Sequence, residues 1–261
     1  MATQVLNGIA VEVSGEGDPV LCIHGLGGSS NTWTPVLAGF DGFKVIRVDL
    51  PGSARSDVLA SGLGIQGFVD AVVDVLQQLN VHSAHVAAHS MGTIVAQHLA
   101  AQHPHRVNSL ALFGPLVCPP DAGRSGIRAR ARLAREGVTG MQQIADTIVA
   151  GATSRETKVA HPAVLALVRE SVMRQPAEGY AQSCEALADA ESAPLEEIVV
   201  PTLLVTGDQD SVAPEAAVNA MALRLKHAAD VIVLHGCGHW TTFEKPEECV
   251  EILQRFYRSV N

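Results

Sequence analysis

The chain is short of charge, of aromatic rings and of any excess of basic residues. Only 17% of its 261 residues are Asp, Glu, Lys or Arg, and 4% are aromatic; the formal net charge is −9. An acidic balance of that size excludes nucleic acid and anionic membrane surfaces as principal partners, because both need a basic face. No apolar run approaches the roughly 20 residues that a membrane span requires. The N-terminus, Met-Ala-Thr-Gln-Val-Leu-Asn-Gly, has no basic stretch leading into an apolar one, so no secretory leader is expected there. The five cysteines (22, 118, 184, 237, 249) are odd in number, scattered, and form no Cys-x-x-Cys pair. Free thiols and a cytoplasmic location are the expectation. Internal repeats and low-complexity tracts are missing too.

Apolar side chains, by contrast, make up 47% of the sequence, enough for a large core. Short apolar runs at 5–13 (a hairpin turning at Asn7-Gly8), 20–23, 44–49, 86–88 and 107–113 read as strands. Phe68, Val72, Val75, Leu76 and Leu79 recur at helical spacing between two of them. Continuous apolar strands alternating with helices predict a parallel sheet covered on both faces. Between Pro115 and Pro194 only helical patterns occur, over 127–136, 141–150, 163–173 and 179–189. Alternation resumes after Pro201 with strands at 202–206 and 231–234 and helices over 214–226 and 245–257. The expected organisation is therefore a core of residues 1–116 and 195–261 interrupted by a helical cap over 117–194.

The sequence from Ala88 to Gly92, Ala-His-Ser-Met-Gly, joins a buried strand to a buried helix through a turn flanked by small residues. A serine there is either a helix cap or an exposed nucleophile on a sharp elbow. Other strand ends carry chemistry as well: His24-Gly25-Leu26-Gly27, Gly207-Asp208-Gln209-Asp210 and Gly236-Cys237-Gly238-His239. Ligands bind beyond the carboxyl ends of strands in sheets of this kind. A serine, an acid and a histidine, each at such an end and in that chain order, favour the nucleophile over the cap.

On these motifs, together with Asp49, Gly52 to Ser56, and Gly238-His239 followed by Glu244, the chain resembles the α/β-hydrolase superfamily over nearly its whole length. The resemblance implies a mostly parallel eight-stranded sheet flanked by helices, with the cap inserted between the sixth and seventh strands. It also implies Ser90 as nucleophile, His239 as base and Asp210 as the acid, with Asp208 as the alternative. The amides of Leu26 and Met91 would form the oxyanion hole. The loop after Asp49 lacks the second glycine usual in that family. Within the superfamily, residues 130–147 and 175–187 resemble the cap of 3-oxoadipate enol-lactonases, although the tryptophan usual near position 150 is absent.

Trp33 and Trp240 are expected to wall the pocket, unless they are simply core. Arg124, Arg128, Arg132 and Arg135 can share one face of a helix. That face is either solvated, or it turns Arg128 or Arg132 inward to meet a substrate carboxylate. His82, His85, His98, His103 and His105 fall on different elements with no acidic residue among them, so neither metal nor cofactor is expected. The function implied is hydrolysis of a small lactone or ester through an acyl-enzyme. Other readings are a general carboxylesterase, a hydrolase of carbon–carbon bonds, a cofactor-free oxygenase or lyase, and a receptor with an idle triad. The partner expected is a small molecule. The sequence leaves the oligomeric state open.

Overall fold

The computed structural model of the protein describes residues 2–60, 62–227 and 230–260. Met1 and Asn261, the outer limits of the expected core segments, lie outside the described residues. Eight strands form one sheet: β1 (Ala2–Leu6), β2 (Ile9–Ser14), β3 (Asp18–Ile23), β4 (Phe43–Val48), β5 (Ala84–His89), β6 (Val107–Phe113), β7 (Thr202–Gly207) and β8 (Asp230–Leu234). Their order across the sheet is β1-β2-β4-β3-β5-β6-β7-β8. The β1–β2 and β2–β4 pairs are antiparallel, and every other pair is parallel. Asn7 and Gly8 both take positive φ (45° and 81°), the backbone that a two-residue hairpin turn demands.

The strand order reverses beside β3. The chain steps from β3 to β4 on one side, then crosses back to place β5 on the other. Loops leaving β3 and β5 therefore diverge and open a crevice at their carboxyl ends. His24-Gly25-Leu26 and Ser90 lie at that crevice.

Successive side chains on a strand point to opposite faces, so each buried strand feeds two cores. Leu21, Ile23, Val86, Ala88, Leu110 and Leu112 pack one face, against α1 (Ile65–Gln78) and α2 (Met91–Gln102). Val20, Cys22, Ala87, Ala111 and Phe113 pack the other, against Trp33, Phe40 and the closing helix, which the structure runs over Pro246–Val260. Asn31 to Leu37 lies within a 3-10 segment, Ser30–Phe40, capped by the Ser29 side chain.

The insertion between β6 and β7 holds five helices: α3 (Asp121–Ala134), α4 (Val138–Ala152), α5 (Arg155–Ala160), α6 (Pro162–Met173) and α7 (Ala177–Ala188). They enclose a core of their own, with Ala131, Met141, Ile144, Val168, Val172 and Tyr180 buried against Trp240 and Phe243. Two features escape the sequence pattern. Helix α3 begins six residues before the expected Ile127, because its first turns carry Gly123, Gly126 and polar residues rather than an apolar stripe. Helix α5 was not expected at all; it is short and polar, and the Ser154 side chain caps it by accepting from the Thr157 amide. After β7, α8 spans Glu215–Ala222, shorter than the pattern suggests, and a single turn, α9 (Thr241–Glu244), precedes the closing helix α10 (Pro246–Val260).

Candidate active site

Ser90 sits between the end of β5 and the start of α2 with φ 52° and ψ −125°, a conformation that side chains other than glycine rarely adopt. The turn is tight because β5, the β3 loop and α2 converge on it. A Cβ at Gly92 would lie 2.5 Å from the His24 carbonyl oxygen, and one at Gly25 would lie 2.6 Å from the Ser90 Cβ. Neither position tolerates a side chain. Ala88, where the superfamily more often has glycine, is fully buried, and its methyl group packs in the core between sheet and helices.

The Ser90 side chain does not cap α2. Instead its Oγ lies 2.8 Å from His239 Nε2, and His239 Nδ1 lies 2.8 Å from Asp210 Oδ2. Asp210 Oδ1 accepts from the amides of Val212 and Ala213, each at 2.8 Å. Burial opposes ionisation of Asp210, but His239 and those two amides outweigh it and bring its pKa down to about 2. Asp208 is elsewhere: it accepts from the Cys237 amide and pairs with the exposed His235.

Two further histidines steady this arrangement. His89 Nε2 lies 2.8 Å from the His239 carbonyl oxygen, which fixes the proton on Nε2. Burial, then the neighbouring His239, lowers the His89 pKa to about 3, so it stays neutral. His24 donates from Nδ1 to the Gly25 carbonyl (2.7 Å) and accepts at Nε2 from the Leu50 amide (2.9 Å). It joins the loop after β3 to the loop after β4, and burial lowers its pKa as well. That second loop is held by a buried charge network. Asp49 accepts from the Ser30 amide and from Arg55, and Arg55 and Arg47 both reach Glu12.

Leu26 and Met91 lie beside Ser90. The Met91 amide opens α2, where the first turn leaves its N–H groups without intrahelical partners. The Leu26 amide has no acceptor among the described residues. The adjoining pocket, about 250 Å³, is largely apolar and is walled by Leu26, Leu116, Ile148, Ala152, Leu187 and Trp240, with Ser90 and His239 at its floor.

Three expected pocket residues are not there. Trp33 is fully buried in the core behind the sheet, edge-on to Phe40 and Phe113. Arg128 pairs with Asp189 at the surface, and Arg132 is exposed. Both lie on the face of α3 that its neighbours Arg124 and Arg135 clasp along α7: Arg124 at its C-terminal end through the carbonyls of Ala188 and Ala190, Arg135 through Glu178 near its start and Glu185 farther along. The arginine that does line the pocket is Arg130, off that shared face. It is half-buried, with no carboxylate within ion-pair distance among the described residues. Helical spacing sets Arg130 apart from Arg124, Arg128, Arg132 and Arg135, but it does not say which side of the helix meets the pocket.

Glu244 was legible only as part of a motif; its work is visible in three dimensions. Its Oε2 accepts from the Ser154 amide (2.8 Å), Thr157 Oγ1 (2.8 Å) and the Gly238 amide (3.1 Å), and its Oε1 from the Trp240 amide (3.1 Å). The His239 amide donates to the Ala152 carbonyl at 2.9 Å. One carboxylate and one carbonyl thus fasten the corner between α4 and α5 to the loop that carries His239. Glu244→Gln would keep an oxygen toward the three donors on Oε2, turn its NH₂ toward the Trp240 amide and leave that buried amide unpaired, at a cost of about 1–3 kcal/mol. Thermal unfolding should show a drop in Tm of about 2–10 °C, and an unchanged Tm would refute the fastening role.

A sheet of this order with a serine on a strained strand-to-helix turn defines a class of fold, and comparison with known proteins agrees. The chain belongs to the α/β-hydrolase family: a family model described as the alpha/beta hydrolase fold matches residues 18–246. It is 27% identical over 244 residues to an (E)-2-((N-methylformamido)methylene)succinate hydrolase of Acinetobacter baylyi, covering 92% of this chain and 90% of that one. It is 25% identical to 3-oxoadipate enol-lactonase 1 of the same organism, covering 97% and 94%. Among solved structures, a thermophilic esterase from Thermogutta terrifontis in a malate-bound form superposes with a TM-score of 0.90 at 26% identity, covering 97% and 93%. The chain is thus a hydrolase related to esterases and lactonases. Among the described residues no helix is long and apolar enough to cross a membrane.

Proposed function

We propose that the protein is a serine hydrolase that opens a small lactone or carboxylic ester through an acyl-enzyme. The observation that carries this reading is the unbroken hydrogen-bonded chain Asp210–His239–Ser90 at the floor of an apolar pocket. Ser90 Oγ attacks the carbonyl carbon while His239 Nε2 takes its proton, and Asp210 steadies the imidazolium. The oxyanion forms beside the amides of Leu26 and Met91, where each donor contributes about 2.7–4 kcal/mol. Collapse breaks the carbon–oxygen bond, and His239 returns the proton to the leaving oxygen. Water then attacks the acyl carbon with His239 as base, releasing the acid and restoring Ser90. In a lactone the leaving alcohol remains tethered, so this water competes with ring closure.

Arg130 supports an acidic substrate, because a guanidinium on the pocket wall without a carboxylate partner favours an anion. Two relatives are described by carboxylated molecules, a substituted succinate and an oxoadipate enol-lactone. A panel of p-nitrophenyl esters and lactones tests the reading, with the 3-oxoadipate enol-lactone and its methyl ester as the decisive pair. Nitrophenol release is expected, along with about a 10- to 100-fold preference in kcat/KM for the free acid, the range of a charge-assisted hydrogen bond. Arg130→Gln should erase that preference. Equal turnover of acid and ester by the unaltered enzyme would remove the role given to Arg130, and no turnover of any ester would remove the hydrolase reading.

A further inference from the structure

A second cavity, about 510 Å³, opens beyond the catalytic pocket. The two share Leu116, Arg130, Leu187, Ser211 and Val212, so they adjoin, with Arg130 on their common border. The outer chamber is mostly apolar, lined by Val117, Cys118, Pro119, Pro120, Ile127 and Ala217. A ring of lactone size fits the inner pocket and leaves this annex empty.

The way the cap is attached shows why the annex lies on that side. On the His239 side, Ala152, Ser154 and Thr157 are tied to the core as described above. At the loop after β3, Ser171 Oγ donates to the Gly27 carbonyl and Gln175 Nε2 to the Gly28 carbonyl. At the loop after β4, the Ala54 amide donates to Gln175 Oε1, and Gln182 Nε2 donates to the Leu59 carbonyl. On the annex side, Ser211 Oγ donates to the Gly151 carbonyl of α4 at the border with the inner pocket, but among the described residues no hydrogen bond joins Ile127 or Arg130 of α3 to the segment from Ser211 to Ala217. Three sides of the cap are pinned, and the fourth is hollow and apolar.

We propose that the annex is a subsite for an apolar acyl arm, so that this enzyme takes esters or lactones whose acyl part extends well beyond the reacting carbonyl. The inference rests on the serine-hydrolase reading. The acyl side is assigned because His239 must face the leaving oxygen, and His239 lines the inner pocket but not the annex. Burying the arm there removes apolar surface from water and strengthens binding to the acylation transition state.

The test compares p-nitrophenyl octanoate with p-nitrophenyl acetate. The octanoate is expected to have the higher kcat/KM, by up to about fourfold for each methylene buried. Cys118 offers a handle, being the only one of the five cysteines that is not buried. Alkylation with N-ethylmaleimide should cut the octanoate-to-acetate ratio at least about tenfold, and in Cys118→Ala enzyme the reagent should leave that ratio where it was. Ala217→Trp, at an exposed position of α8, should fill the annex independently and lower the ratio to a similar extent. Nitrophenol release with no dependence on acyl length, or a length advantage that survives both blocks, would overturn the inference alone. A length advantage confined to the alcohol part, read with methyl and octyl acetates, would overturn it as well. Complete absence of nitrophenol, even in an amount stoichiometric with protein, would overturn the hydrolase reading and the annex with it.

Discussion

Ser90→Ala is expected to lower hydrolysis of p-nitrophenyl esters by about 10⁴–10⁶-fold in kcat, equivalent to about 5–8 kcal/mol of lost transition-state stabilisation. Removing Oγ removes the atom that would bond to the acyl carbon, so the amides of Leu26 and Met91 and the pocket would be left with only residual catalysis. The variant should fold. Alanine carries the same Cβ through the strained turn, and Ser90 Oγ has one hydrogen bond in the described residues, to His239. A Tm close to that of the parent would show that the loss is chemical. Fluorophosphonate labelling should add one adduct to the parent and none to the variant. Near-normal turnover by Ser90→Ala would dismiss the acyl-enzyme.

Asp210→Asn comes next, with an expected loss of about 10⁴-fold. The local hydrogen bonds dictate how the asparagine would sit. Oδ1 is held by two amide donors, from Val212 and Ala213, so the amide oxygen must take that position and the NH₂ group must replace Oδ2. That NH₂ faces His239 Nδ1, which then has to accept, leaving Nε2 protonated toward Ser90 with no lone pair for its proton. Asp208→Asn should cost little by comparison, since Asp208 meets the exposed His235 and the amides of Gly236 and Cys237 rather than the His239 ring. Comparable losses in both variants would contradict the assignment of Asp210. The depressed pKa adds a sign to the pH behaviour. Asp210 contributes stability that is fully present above the unfolded carboxylate value of about 3.9 and is lost as pH falls through about 2. Its titration therefore leaves activity near neutral pH untouched.

The sheet was legible because its strands are continuous apolar runs punctuated by Gly, Pro and Asn. Even the hairpin announced itself through Asn7-Gly8. The candidate triad was legible for a related reason: its three members sit at strand ends, where chain order and topology dictate neighbourhood. What sequence left hidden was of two kinds. Arg128, Arg132 and Trp33 were residues of the right chemistry whose side chains point elsewhere. Period alone cannot tell which stripe of α3 meets α7 and which meets the pocket, and Trp33 belongs to the opposite face of the sheet. His24, His89 and Glu244 were visible as motif letters, but their roles depend on acceptors far along the chain. The His239 carbonyl lies 150 residues from His89, and Ser154 lies 90 residues from Glu244.

The fastening of the α4–α5 corner bears on how such a protein can be remodelled. The imidazole is braced by the roof as well as by the floor: its own main-chain N–H rests on Ala152, and the loop bearing it shares one carboxylate with Ser154 and Thr157. A transplanted roof would bring a new specificity only if it arrived with an equivalent brace. Without one, the graft would unseat His239 while leaving Ser90 and Asp210 where they stand.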